Sequence, residues 1–165
     1  MNRKGFTLIE LLAVIVVLGL VVLVSVPIVS DAYSKSKVKS EGIFVDRLKE
    51  SIDSYVKLNE IEYTTVGNGK KTENGKEYDI TYQMGTITIN DIINDGIITK
   101  KDFVNAGNKE TTCKTSAVVE VYKDSDFVYC YKMEINSLNC LTDAYKKNKK
   151  YAIDTCEWTP KKDQG

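Results

Sequence analysis

Residues 1–27 read MNRKGFTLIELLAVIVVLGLVVLVSVP: a short basic leader, then an apolar run with one carboxylate, Glu10, near its start. Leu11–Val29 is interrupted only by Gly19, Ser25 and Pro27. As a helix its 19 residues span about 28 Å, close to the ~30 Å hydrocarbon core of a bilayer. An acid in that core costs roughly 2.5–3.5 kcal/mol on insertion scales, so Glu10 demands a partner. Phe6, Thr7, Ala13 and Val14 lie within helical reach, and none is cationic. The expected partner therefore lies outside this helix.

A cleavable secretory signal is the competing reading, and it fits poorly. The run is long, Ser30-Asp31-Ala32 is a weak match to a small-residue cleavage site, and Glu10 sits where a signal's apolar region begins. Charge alone leaves the orientation ambiguous, because Arg3 and Lys4 precede the span while Lys35, Lys37 and Lys39 follow it. Helical periodicity continues beyond the span. Val38, Val45, Leu48, Ile52, Tyr55 and Val56 form one apolar stripe, with Lys39, Glu41, Asp46, Lys49, Glu50 and Asp53 in the gaps. One long helix over about residues 6–59 is expected, kinked where Pro27 removes a backbone donor.

The remaining chain is long enough for one modest core. The 23 basic and 23 acidic residues cancel, so net charge gives no argument for nucleic acid. There is no histidine, which excludes Ser-His and Cys-His catalysis and His-ligated zinc. No nucleophile-elbow motif or Gly-rich phosphate loop is present either, so no enzyme activity, cofactor or metal is expected. Cys113, Cys130, Cys140 and Cys156 lack C-x-x-C spacing. An even count behind a membrane segment reads as two disulfides in an oxidising, extracytoplasmic location.

In the head, residues 64–77 are rich in Gly, Asn and Lys and read as an exposed loop. Tyr78–Tyr82 and Thr86–Ile89 are strand candidates. Asn90 is placed as the cap of a short helix through Asn94, stopped by Gly96. Thr99-Lys-Lys-Asp102 resembles a capping box for a second helix to about Asn105. Strands are expected over Ser116–Lys123 and Asp126–Met133, with the chain irregular from Glu134 onward.

A turn centred on Asp124-Ser125 sets Val119 opposite Cys130 and Val121 opposite Val128. These four would face the long helix, leaving Val118, Glu120, Tyr122, Phe127, Tyr129 and Tyr131 on the other face, covered by the C-terminal segment or by a partner. The same register ranks Cys113–Cys140 with Cys130–Cys156 first among three connectivities. Lys146, Lys147, Lys149 and Lys150 read as a solvated run rather than a site for DNA or an anionic wall polymer. Asp124-Ser-Asp126 reads as a polar turn rather than a calcium loop, having no Gly and no following Glu.

Lys4-Gly5-Phe6-Thr7-Leu8-Ile9-Glu10 strongly resembles the processing site of the type IV pilin and type II secretion pseudopilin superfamily. The match continues through Leu11, Leu12, Gly19 and Pro27. The head resembles, more loosely, pseudopilin-like proteins of Gram-positive bacteria. A bias toward Lys, Ile, Asn and Tyr, with Arg3 and Arg47 the only arginines, points the same way.

The resemblance implies an α+β pilin fold, a long N-terminal helix packed on a small antiparallel head. The expected parts are a leader over 1–5, a transmembrane and filament-core half over 6–30, an amphipathic half over 31–59 and a head over 60–165. It further implies a prepilin peptidase that cuts between Gly5 and Phe6 and methylates the Phe6 amine. Glu10, Phe6 and Pro27 are then the assembly residues. The implied partners are the cell membrane, with N-terminus cytoplasmic and head outside, and other pilin or pseudopilin subunits in a cell-surface filament. A role in secretion or competence is the alternative, with nucleic acid a partner only in the second. A membrane-anchored extracellular binding module is a further alternative.

Overall fold

The computed structural model describes residues 7–101, 103–104, 112–126, 129–147 and 149–156. The chain divides into two compact units, Met1–Lys37 and Val38–Gly165. The expected long helix is α1 (Leu8–Leu58), whose residues are shared between the two units. In the first unit every described side chain from Thr7 to Ser36 is exposed. A helix that is apolar all round has no polar face to turn to water, so it needs a non-aqueous or helical surround. Its polar Ser25 hydroxyl is satisfied within the helix, donating to the Val21 carbonyl at 2.7 Å.

In the second unit α1 is one-sided. Val45, Leu48, Ile52 and Val56 of the expected stripe are buried, Val38 and Tyr55 are partly buried, and Phe44 joins them. Full burial of a side chain such as Ile52 stabilises by about 1.5–3 kcal/mol. They pack in one core with Ile87, Val119, Val121, Tyr131, Met133 and Ile153 of an antiparallel sheet. That sheet is a meander of β1 (Thr64–Glu73), β2 (Lys76–Thr88), β3 (Val118–Lys123), β4 (Tyr129–Glu134) and β5 (Tyr151–Asp154), in that order. The Tyr131 hydroxyl donates to Asp53 on α1 at 2.8 Å. Hydrogen bonds from Lys57 and then from Tyr131 hold the Asp53 carboxyl below its ordinary range.

Several expectations are corrected. Residues 64–77 are not a loop but β1 and the start of β2, joined at Asn74-Gly75. Both turn residues have positive φ, 51° and 76°, the condition of the two-residue hairpin turn that Asn-Gly favours. Tyr78–Tyr82 and Thr86–Thr88 merge into the single strand β2, and Ile89 begins the next helix. The short helix α2 (Ile89–Asn94) is capped by Thr88, not Asn90. Thr88 and Asp91 form a full capping box, with Asp in the Glu position. Gly96, at φ 77°, ends it as expected, its N–H donating to Ile93 O and that of Ile97 to Ile92 O.

No helix opens at Thr99 among the described residues. Phe103 is instead buried beside Phe44, with ring centroids 5.6 Å apart, and Val104 bridges to Thr112. Asp102 and Asn105 lie outside the described residues. The irregular C-terminal region holds α3 (Asp143–Lys146) and the edge strand β5.

The β3–β4 register also differs. Val121 faces Tyr131, three residues beyond the expected Val128, and Tyr122 faces Cys130. An odd shift exchanges the faces of a strand. Val119 and Val121 still face the core, but they are joined there by Tyr131 and Met133, while Cys130 moves to the opposite face with Tyr122. Tyr122 is buried there, and its hydroxyl donates to Glu120 at 2.8 Å. Phe127 and Val128 lie outside the described residues.

Gly85 on β2 allows residues 61–63 to cross the sheet closely. A Cβ there would lie 2.6 Å from Ile61 Cγ2 and 2.8 Å from the Glu62 carbonyl oxygen. A backbone atom cannot rotate away as a side chain can. Gly85→Ala is therefore expected to destabilise the head by about 1–3 kcal/mol. A lower melting temperature of the detergent-solubilised chain is the check, and an unchanged one would contradict this account of the crossing.

Candidate assembly site

Glu10 sits in the first turn of α1. Its Oε2 accepts the Thr7 backbone N–H at 2.8 Å and the Thr7 hydroxyl at 2.8 Å, while the Glu10 N–H points back to Thr7 Oγ1 at 3.4 Å. This is a reciprocal capping box, and Thr7-x-x-Glu10 is its sequence signature. The reading of Glu10 as a group with no partner near its own helix is corrected in that respect. Two neutral donors from Thr7 solvate the carboxylate locally. They bring no positive charge, and both meet the same oxygen. Among the described residues Oε1 accepts no hydrogen bond.

Gly5 and Phe6, the expected processing residues, lie outside the described residues. Pro27 lies within α1. Its ring nitrogen cannot donate to the Leu23 carbonyl, which an ordinary residue there would do.

The structure joins Cys113 to Cys140, with Cα atoms 4.8 Å apart, and Cys130 to Cys156, at 5.0 Å. The alignment behind these pairs is not the expected one. Lys114 N–H donates to Leu138 O at 2.9 Å, which sets Cys113 beside Cys140. Thr155 exchanges hydrogen bonds with Tyr131, which sets Cys156 beside Cys130. Either bridge closes a loop of about 27 residues and is worth about 3 kcal/mol in the chain-entropy account. Glu41 is fully buried and ties α1 to the start of α3, accepting from Thr142 N–H at 3.0 Å and from its hydroxyl at 2.6 Å. Residues separated by so much sequence leave no local signal, which is why this tie was missed.

The Asp124-Ser-Asp126 turn already holds a cation, and it is a side chain. Lys71 Nζ lies 3.3 Å from Asp124 Oδ2 and 3.7 Å from Asp126 Oδ2. The Asp124 side chain is fully buried and also accepts the Asp126 N–H at 2.9 Å. Among the described residues no cluster of metal-ligating side chains occurs. In the lysine run, Lys149 lies 3.6 Å from the Tyr145 ring centre and Lys150 lies 5.0 Å from that of Tyr151. Their ammonium groups sit over aromatic faces, an electrostatically favourable arrangement.

A long N-terminal helix followed by a five-stranded antiparallel sheet is an α+β, pilin-like architecture. The helix is long and apolar enough to cross a membrane. Residues 1–26 match the family described as the prokaryotic N-terminal methylation motif. The chain thus carries the N-terminus of a type IV pilin- or pseudopilin-like protein, the kind of substrate a prepilin peptidase processes. No curated protein and no solved structure matches it.

Removing the Lys71 ammonium takes the opposite charge away from a buried carboxylate. Lys71→Met is expected to destabilise the head by about 2 kcal/mol, below the 3–5 of a fully buried pair because Lys71 is partly exposed. Calcium added to the unaltered protein should leave its melting temperature unchanged. A calcium-dependent rise would reinstate the metal reading of this turn.

Proposed function

We propose that this chain is a structural subunit of a type IV pilus-like filament, made as a single-pass membrane precursor with its head outside the cell. The carrying observation is Glu10, an acid at the start of a helix exposed and apolar on every side, inside the matched segment of residues 1–26. Hydrolysis of the Gly5–Phe6 bond creates an α-amine at Phe6. Gly5 suits that step, since a residue without a side chain lets a protease approach the backbone. Methylation of the amine keeps its charge. The Phe6 ammonium of a neighbouring subunit then pairs with Glu10, and Pro27 shapes the helix where helices crowd.

Thr7 contributes by holding Oε2. In that arrangement Oε1 is left for the incoming ammonium. An unpaired charge in a dry helix core is costly and a paired one far less so, so the pair sets the height at which a subunit joins. No catalytic role is assigned to the head, whose described polar clusters are occupied by structural partners such as Lys71–Asp124 and Glu41–Thr142.

Two measurements test this. Mass spectrometry of the mature protein is expected to give an N-terminus at methylated Phe6. An N-terminus at Met1, or near Ala32, would overturn the processing step. Glu10→Val is expected to leave subunit level and head melting unchanged while removing the protein from sheared surface filaments. Normal filaments from that variant would refute the pairing.

A further inference from the structure

From Leu11 to Ser40 the charged residues are Asp31, Lys35, Lys37 and Lys39. Three lysines and one acid thus lie directly beyond the apolar run. On the rest of α1 the balance reverses, with Glu41, Asp46, Glu50 and Asp53 against Arg47, Lys49 and Lys57. Positive charge beside a span normally marks its cytoplasmic end. Here it marks the end that the proposed function puts outside, so orientation does not account for it.

The helix fixes where these groups lie. With hydrocarbon over Leu11–Val29, Tyr33 falls about 6 Å past the apolar boundary, within an interfacial layer of about 5–8 Å per side. Lys35 and Lys37 fall about 9 and 12 Å past it, near enough for their flexible stems to reach back to that layer. Tyr33 is 68% exposed, and the Lys35 side chain is 77% exposed while paired to Asp31 at 2.8 Å. An exposed tyrosine followed by lysines is the composition of a membrane–water interface.

Their angular spread identifies the partner. At about 100° per residue, Lys35 and Lys37 lie on opposite flanks of the helix. A single partner docked on one flank would meet only one of them. A bilayer surface surrounds the helix.

We infer that Lys35 and Lys37 form a collar that binds the phosphates of anionic phospholipids around the membrane-resident subunit. This rests on the membrane-precursor reading above and adds a lipid preference to it. Asp31 moderates the collar by holding Lys35. Leaving the bilayer for a filament then requires giving up these phosphates, so anionic lipid retains the subunit until the protein–protein contacts are in place.

The test uses the full chain reconstituted in phosphatidylcholine vesicles with trace spin-labelled lipids. The ratio of phosphatidylglycerol to phosphatidylcholine association at the protein is read by electron paramagnetic resonance. A preference of about fivefold for the anionic lipid is expected at low salt, the amount one lysine near the surface supplies. It should weaken at high salt. Lys35→Gln/Lys37→Gln should bring the ratio to about one, with helicity by circular dichroism unchanged, whereas Arg3→Gln/Lys4→Gln should leave most of it. Asp31→Asn, which frees Lys35, should raise it. No preference, or a preference carried by Arg3 and Lys4, would overturn the collar. A chain that fails to insert would instead count against the membrane-precursor reading itself.

Discussion

The apolar surface of α1 in the first unit sets terms for the rest of the protein. Sixteen large apolar side chains between Leu8 and Val29 are each 48–85% exposed. Even at roughly 1 kcal/mol apiece, below the value for full burial, leaving them in water would outweigh the 5–15 kcal/mol that holds a typical domain folded. This surface must be in lipid or among other helices. Among the described residues, the core of the head takes from α1 side chains from Val38 onward. A bilayer before assembly and a helix bundle after it both meet the demand, and the proposed function moves the same surface from one to the other.

The head answers to a different constraint. About one apolar stripe of helix and one face of a small sheet supply its core, a modest amount for a domain of this size. Long-range ties supplement it. Glu41 fastens α1 to the chain at Thr142, Asp53 fastens α1 to Tyr131, and Lys71 fastens β1 to the turn after β3. The two disulfides fix the segments around β4 that have the least regular structure. All of these ties lie within the second unit and draw on α1 only at Glu41 and Asp53, beyond its exposed apolar run.

The parts legible in the sequence were those written in local periodicity. The change in α1 from apolar all round to a single stripe is visible residue by residue, and so is the acid at position 10. Parity was legible only where the turn was right. Placing a tight turn at Asp124-Ser125 exchanged the faces of Cys130 and Tyr131, because Lys123 pairs with Tyr129 rather than with residue 126. That turn is shaped by Lys71, 53 residues away, and nothing local announces it. Asn74-Gly75 is the opposite case, since a strong hairpin signal was present but outweighed by the polar composition around it. Strand β5 has four residues and pairs only at the sheet edge, too short to give a period.

At the assembly site the missed signal was Thr7-x-x-Glu10, and it changes the physical problem. A bare carboxylate in hydrocarbon would favour either protonation or expulsion of the helix end. Two hydrogen bonds from Thr7 to one oxygen lower that cost for the membrane precursor of the proposed function. They do so with neutral donors, so the carboxylate keeps its charge and its attraction for a cation at the same depth. An ion pair built in a dry core contributes little net stability but discriminates strongly between matched and mismatched positions. In the proposed function the same threonine makes the membrane state tolerable and leaves the paired state preferable. That difference, rather than the strength of either contact alone, is what a subunit changing surroundings requires.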